Sequence, residues 1–154
     1  MVKYIKGDIL DITKGIIVQQ VNCIGVMGAG LAKQIKDKWP DIYNSYKTRI
    51  HNTENTKELL GKTLFDYVEN NLFVASIFGQ YYYGHQAKFT NYAALFKGLN
   101  SVAEISATYK TAIYIPKGLG CGLAGGNWDF VEAYIQDLDL FFDKKIEIII
   151  VEKE

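Results

Sequence analysis

Two stretches of this chain set a cluster of glycines directly between a β-branched run and a helical period, and they restrict the possible folds more than any other feature. The first is Asn22-Cys23-Ile24-Gly25-Val26-Met27-Gly28-Ala29-Gly30, which follows an apolar run ending at Val21 and precedes the stripe Leu31, Ile35, Trp39. The second is Pro116-Lys117-Gly118-Leu119-Gly120-Cys121-Gly122-Leu123-Ala124-Gly125-Gly126, which follows a run ending at Ile115 and precedes the stripe Trp128, Val131, Ile135, Leu138, Phe142. Eight of the 14 glycines lie in these two segments. A loop without side chains lets backbone N–H groups approach a ligand, and a helix N-terminus adds unpaired donors and a partial positive charge. Strand, glycine loop and helix together make an anion site, and two such loops are suited to clamping a diphosphate. The plainer reading, tight turns and nothing more, fits one loop better than a matched pair.

The rest of the chain supplies the frame. Residues 2–6, 16–21, 63–68, 72–78, 111–115 and 146–151 are rich in Val, Ile, Tyr and Phe and read as six strands, several of them covered on both faces. Between them run helical stripes: Leu31, Ile35, Trp39, ended by Pro40; Ile42, Tyr46, Ile50; and Tyr92, Leu95, Phe96, Leu99, Val102, Ala103, with Thr90 ahead as a cap. Asn127 is the expected cap of the last helix, whose acids from Asp129 to Asp143 read as a solvated face. Residues 51–57 are polar and read as an exposed loop. Alternating strands and helices predict an α/β fold, a largely parallel or mixed sheet with helices on both faces. In such sheets ligands bind outside the carboxyl ends of the strands, where loops feed helices.

Composition narrows the function. A length of 154 residues predicts one domain spanning the chain, and 49% hydrophobic residues are enough to bury a core. Basic and acidic residues are 17 each, and Arg49 is the only arginine, which argues against an extended nucleic-acid footprint. No apolar run approaches the roughly 18 residues of a membrane span, and no leader is evident, so a cytoplasmic protein is expected. Cys23 and Cys121 form no disulfide framework, and with His51 and His85 as the only histidines no metal-ligand spacing appears. Residues 120–125 match G-x-G-x-x-G formally, but only one strand follows, too little for a dinucleotide-binding unit. Gly61-Lys62-Thr63 ends like a P-loop, yet Thr56 stands where that motif requires glycine.

Three ordered motifs, Gly7-Asp8-Ile9-Leu10, Val21-Asn22-Cys23 running into Gly25-Val26-Met27-Gly28-Ala29-Gly30-Leu31-Ala32, and Gly120-Cys121-Gly122-Leu123 before Trp128, resemble the macro domain, the ADP-ribose-binding module. The resemblance runs from Tyr4 to about Val151. It is greatest to the subgroup of terminal ADP-ribose protein glycohydrolases, yeast-type ADP-ribose 1''-phosphate phosphatases and related bacterial or phage proteins. It implies a three-layer α/β/α fold with a six-stranded mixed sheet and ADP-ribose in a cleft between the two loops. By the same resemblance Asp8, with the backbone of Ile9, meets the adenine amino group, a donor that an acceptor-only carboxylate suits. Asn22 faces the distal ribose. Residues Gly25, Val26, Met27, Gly28, Ala29, Gly30 and Leu31 meet the diphosphate and distal ribose. Gly120, Cys121, Gly122, Leu123, Ala124 and Gly125 wrap the phosphates through backbone N–H groups, and neither metal nor other cofactor is needed. For Asp8 a solvated turn, and for Asn22 an amide capping its own loop, are the alternatives.

Whether the chain is a catalyst is open at this point. Glycohydrolases of the subgroup carry an aspartate after Gly-Cys-Gly-Leu and a lysine upstream of the third main helix; this chain has Ala124 at the first place and no lysine before Lys88 around the second. The segment from Phe78-Gly79 to His85, followed by Asn91-Tyr92, resembles that of the phosphatase. His85, near pH 6.5 by its ordinary pKa, is then the candidate general acid or water-positioning group, with Asn22 beside the reacting sugar. The expected activity is hydrolysis of a group from the distal ribose, the 1''-phosphate first. A non-catalytic reader of free or protein-linked ADP-ribose, and a glycohydrolase with an atypical site, are the alternatives. Tyr81, Tyr82 and Tyr83 read either as a wall of the ribose site or as packed loop residues. Cys23 and Cys121 read as buried thiols before they read as nucleophiles, and Lys33 and Lys36 as a solvated face. The expected partner is ADP-ribose or a derivative, with no membrane, nucleic acid only as a modified substrate, and a monomer in solution.

Overall fold

The computed structural model describes residues 1–84 and 87–154. Six strands form one sheet: β1 (Val2–Lys6), β2 (Gly15–Val21), β3 (Thr63–Glu69), β4 (Leu72–Phe78), β5 (Ile113–Pro116) and β6 (Ile148–Glu152). Their spatial order is β1-β6-β5-β2-β4-β3, parallel throughout except for β3, which runs antiparallel to β4. Four helices complete the three layers: α1 (Gly30–Lys38), α2 (Pro40–His51), α3 (Tyr92–Tyr109) and α4 (Trp128–Phe141).

Alternation along the strands sorts the core into two halves. Ile16, Val18, Ala75, Ile77, Ile148 and Ile150 face α3 and α4, where Leu95, Leu99, Val102, Val131 and Ile135 meet them. Ile17, Val21, Val74, Phe78 and Ile149 face the other way, onto Ile35, Ile42 and Tyr46 of α1 and α2. The α/β class with a six-stranded mixed sheet is therefore as the sequence reads. No helix among the described residues is long and apolar enough to cross a membrane.

Boundaries differ in instructive places. The fifth strand begins at Ile113, two residues later than expected. Lys110 ends α3 in the left-handed region at φ 53°, and Thr111 is held by that helix: its N–H donates to the Ser106 carbonyl and its own carbonyl accepts from Ser106 Oγ at 2.5 Å. The cap of α3 is Asn91, whose Oδ1 accepts from the Ala94 N–H at 3.0 Å; Thr90 spends its hydroxyl elsewhere. Asn127 caps α4 through the Asp129 N–H at 2.9 Å, as expected. On that helix Asp139 departs from a solvated face: it is 4% exposed and accepts from the Met1 amino group at 2.5 Å. Residues 51–57 are not loop throughout, since His51 closes α2 and Thr56–Leu59 make a single 3-10 turn capped by Asn55.

The approach of α3 to the sheet is set by Gly98, where an added Cβ would run into the Ile77 side chain of β4. Helix propensity alone favours Gly98→Ala by roughly 0.5–1 kcal/mol, but overpacking a tight core costs about 1–3 kcal/mol. The clash wins, so urea denaturation of Gly98→Ala is expected to give a lower midpoint than the parent.

Candidate functional site

The cleft lies where neighbouring parallel strands part company. β5 sends its chain through the second glycine loop into α4 on one face, and β2 sends its chain through the first into α1 on the other, so a crevice opens at their carboxyl ends. Asn22, Val26, Gly28, Ala29, Gly30 and Leu31 line it from one loop; Gly120, Gly122, Leu123 and Ala124 line it from the other. Gly28 and Gly122, 94 positions apart by subtraction, share a cavity of about 450 Å³. A smaller one of about 300 Å³ adjoins it across Gly30, Leu31, Pro116 and Lys117 and is lined by Asp8 and Ile9.

The loops present donors without acceptors. Backbone N–H groups of Gly120, Gly122, Leu123 and Ala124 find no acceptor among the described residues. On the other loop, α1 starts at Gly30 in the left-handed region at φ +56°, and its N-cap Ala29 has no side chain to bond the first turn. α3 and α4, by contrast, are capped by Asn91 and Asn127. The first-turn N–H groups of α1 therefore meet the cleft uncapped, and a helix start of this kind favours an anion. Among the described lining residues only Lys117 carries a full charge.

Polar side chains in and behind the lining hold each loop in shape. Asn22 Oδ1 accepts from the N–H groups of Ile24 (3.0 Å), Gly25 (3.1 Å) and Val26 (3.3 Å) and from the Tyr46 hydroxyl (2.7 Å), while Nδ2 donates to the Val26 carbonyl at 2.7 Å. The amide oxygen is thus consumed by its own loop, and what Asn22 has left for a ligand is its second Nδ2 hydrogen. Tyr46 is fully buried, and burial holds its phenol far above the usual range, so it remains protonated.

The second loop is held by residues that the sequence reading leaves outside the site, Thr90 among them as a helix cap. Gln20 Nε2 donates to Gln80 Oε1 (2.8 Å) and to Thr90 Oγ1 (3.0 Å), and Thr90 Oγ1 donates to the Gly120 carbonyl at 2.5 Å. The Ala124 carbonyl accepts from the N–H groups of Phe89 (2.7 Å) and Thr90 (3.2 Å). Inside the loop, the Gly126 N–H donates to the Gly120 carbonyl at 2.9 Å, and a Cβ on Gly126 would stand 2.6 Å from that oxygen. No spacing rule points to Gln20 or Thr90, because their partners are about 30 to 70 positions away.

The remaining candidates fall around this arrangement. Asp8 uses one carboxylate oxygen to cap a 3-10 turn through the Leu10 N–H at 2.9 Å and is otherwise exposed. Gly25, Met27, Cys121 and Gly125 do not line the cleft but stand behind it: Gly25 bonds Tyr46, Met27 is in the core, Cys121 Sγ donates to the Leu119 carbonyl, and Gly125 abuts Ala87 and Lys88. Tyr83 lines the mouth and stacks on exposed Tyr82 at 5.0 Å, whereas Tyr81 packs on the α1 and α2 core. Lys33 pairs with Asp37 at 2.7 Å in water, a contact of little energetic weight. His85 lies outside the described residues, and no group of three or more metal-ligating side chains forms among the described residues.

No family model matches the chain. Among curated proteins it is 28% identical to a 17.5 kDa uncharacterized protein of Enterobacteria phage T4, over all of this chain and 97% of that one. Over 36% of its length it is 38% identical to a DNA ADP-ribosyl glycohydrolase of Mycobacterium tuberculosis, and over 38% it is 37% identical to an ADP-ribose 1''-phosphate phosphatase of Aspergillus oryzae. The matched parts are 16% and 30% of those two proteins. Among solved structures it resembles a Bacteroides thetaiotaomicron protein of unknown function (TM-score 0.86, 30% identity, 99% and 98% of the two chains). It also resembles a macrodomain protein from Streptomyces coelicolor (TM-score 0.78, 26% identity, 98% of each). A third is Thermosipho africanus DarTG in complex with ADP-ribose (TM-score 0.74, 21% identity, 97% of this chain and 41% of that one).

Cys23 and Cys121 are unpaired, and burial pushes both thiols from the ordinary 9.0 up to about 11. Below pH 9 the thiols are protonated folded or unfolded; as pH rises toward 11 the unfolded chain sheds protons that the folded chain keeps, so stability falls across that window. The urea midpoint is expected to drop between about pH 8 and about pH 10.5, and to drop less in Cys23→Ala.

Proposed function

Starting from the chain's membership, by fold, of the macrodomains, we propose that its cleft binds ADP-ribose and that the protein hydrolyses a group from the distal ribose, the 1''-phosphate foremost. The carrying observation is the convergence of unpaired main-chain donors from both loops on one cavity, with a single lysine and no carboxylate among its described lining. Neutral donors held in place suit a diphosphate, since they repel no oxygen and need no reorganisation. The adjoining cavity takes the adenine, with the free oxygen of Asp8 accepting from its amino group. The distal ribose then lies toward Asn22, whose remaining N–H meets a hydroxyl. This reading is supported by a fold neighbour whose structure holds ADP-ribose and by a partial relative named for the phosphatase activity.

Hydrolysis of the 1''-phosphate requires water to attack phosphorus while the P–O bond to the sugar breaks and the leaving oxygen gains a proton. We assign that proton to His85 on its sequence context alone. A second reading, the non-catalytic reader, is favoured by a specific observation: the described lining offers neither carboxylate nor histidine, and Ala124 supplies only backbone. We place the protein in the cytoplasm as a monomer, in keeping with its unpaired thiols.

Calorimetry is expected to show ADP-ribose binding that Asp8→Ala weakens about tenfold or more, the value of a charge-assisted hydrogen bond; no heat at millimolar ADP-ribose overturns the reading. Release of phosphate from ADP-ribose 1''-phosphate, lost in His85→Ala with ADP-ribose affinity retained, identifies the enzyme. Binding without release in the parent identifies the reader.

A further inference from the structure

The hydroxyl of Tyr46 ties the first glycine loop to α2, beside a second hydrogen bond from that loop to the body of the fold, in which the Cys23 N–H donates to the Tyr81 carbonyl at 3.0 Å. Every other bond that Asn22 makes through its side chain is local, reaching Ile24, Gly25 and Val26 within four residues. Those bonds give the loop its internal shape without attaching it to anything. Tyr46, on α2, does attach it: its hydroxyl lies 2.8 Å from the Asn22 carbonyl and 2.7 Å from Asn22 Oδ1, and accepts from the Gly25 N–H at 3.1 Å. The ring itself is anchored, fully buried, 5.9 Å from Phe78 of β4 and 6.3 Å from Tyr43. If packing were the whole role, phenylalanine would serve as well and would bury no hydroxyl.

We infer that Tyr46 is a positioning residue for the distal-ribose end of the cleft, holding the Asn22 amide so that its free Nδ2 hydrogen is presented to a ribose hydroxyl. The inference rests on the ADP-ribose reading above and adds to it a residue that touches no ligand. Three N–H groups and the Tyr46 O–H lie within hydrogen-bond distance of Asn22 Oδ1, and turning the amide over would leave the Ile24 and Val26 N–H groups with no other acceptor among the described residues. Removing the hydroxyl leaves the loop its shape and takes away its tether to α2. The loss therefore falls on the contact that needs the tether, the distal ribose, and not on the adenine end, which Asp8 and Ile9 line from another element.

The test compares ADP-ribose with ADP, two ligands that differ by the distal ribose, in the parent and in Tyr46→Phe by calorimetry. The ratio of ADP-ribose to ADP affinity is expected to fall about tenfold in Tyr46→Phe while ADP affinity stays within about twofold, the loss of one well-placed hydrogen bond. A folded Tyr46→Phe with the parent's ratio, or one that loses ADP and ADP-ribose affinity alike, overturns the positioning role. Should the variant not fold, NMR of the parent decides: the Asn22 side-chain amide and the Gly25 N–H are expected to shift with ADP-ribose and not with ADP. Unmoved Asn22 resonances in protein saturated with ADP-ribose refute the inference. A parent that binds neither nucleotide refutes the function proposed above instead.

Discussion

A main-chain N–H that meets no acceptor is expensive to bury and tolerable where water or an anion can reach it. The cleft is organised around such groups. In the second loop four consecutive or near-consecutive amides are left open, and in the first a helix begins without a capping side chain although the fold caps α3 and α4 with asparagines. The glycines follow from that requirement: a side chain at Gly126 would collide with the Gly120 carbonyl and open the second loop, and Gly30 takes a backbone angle that L residues rarely adopt.

Open donors hold their aim only if the chain carrying them is rigid. Each loop is braced by a side-chain amide working as a junction: Asn22 with Tyr46 on one side, Gln20 with Thr90 and Gln80 on the other. Glutamine and asparagine stand at and just past the carboxyl end of β2, a strand with neighbours on both sides, so the braces inherit the stiffness of the sheet interior. Gln20 Oε1 is buried without a partner among the described residues and is flanked by Gly79 and Gly120, whose missing side chains make room for it. The rigidity of the site is thus a property of the sheet passed to the loops through hydrogen bonds.

Much of the fold was legible because local patterns and global packing agree. Alternation in β2, β4 and β6 and the stripes of α3 and α4 each bury the face that their period marks. Legibility failed at boundaries where a long-range bond overrode a local signal. Thr90 reads as a helix cap, yet its hydroxyl reaches Gly120, 30 positions on, and the cap falls to Asn91. Thr111 reads as strand, yet Ser106 holds it to the end of α3. For the site, both loops and their motifs were visible in sequence; the four residues that brace them were not, since Gln20, Tyr46, Gln80 and Thr90 look like ordinary strand, helix and loop positions.

By itself the sequence determined the elements, the two glycine loops and the shortage of acid or base beside them, because glycine content, periodicity and the identity of residue 124 are local facts. Only the tertiary structure decided that the loops share one cavity, that the Asn22 oxygen is already spent, and that Tyr46 ties its loop to α2. Those outcomes depend on which strands become neighbours: β2 and β5 are adjacent in the sheet but about 90 residues apart in the chain, and no local pattern encodes that pairing.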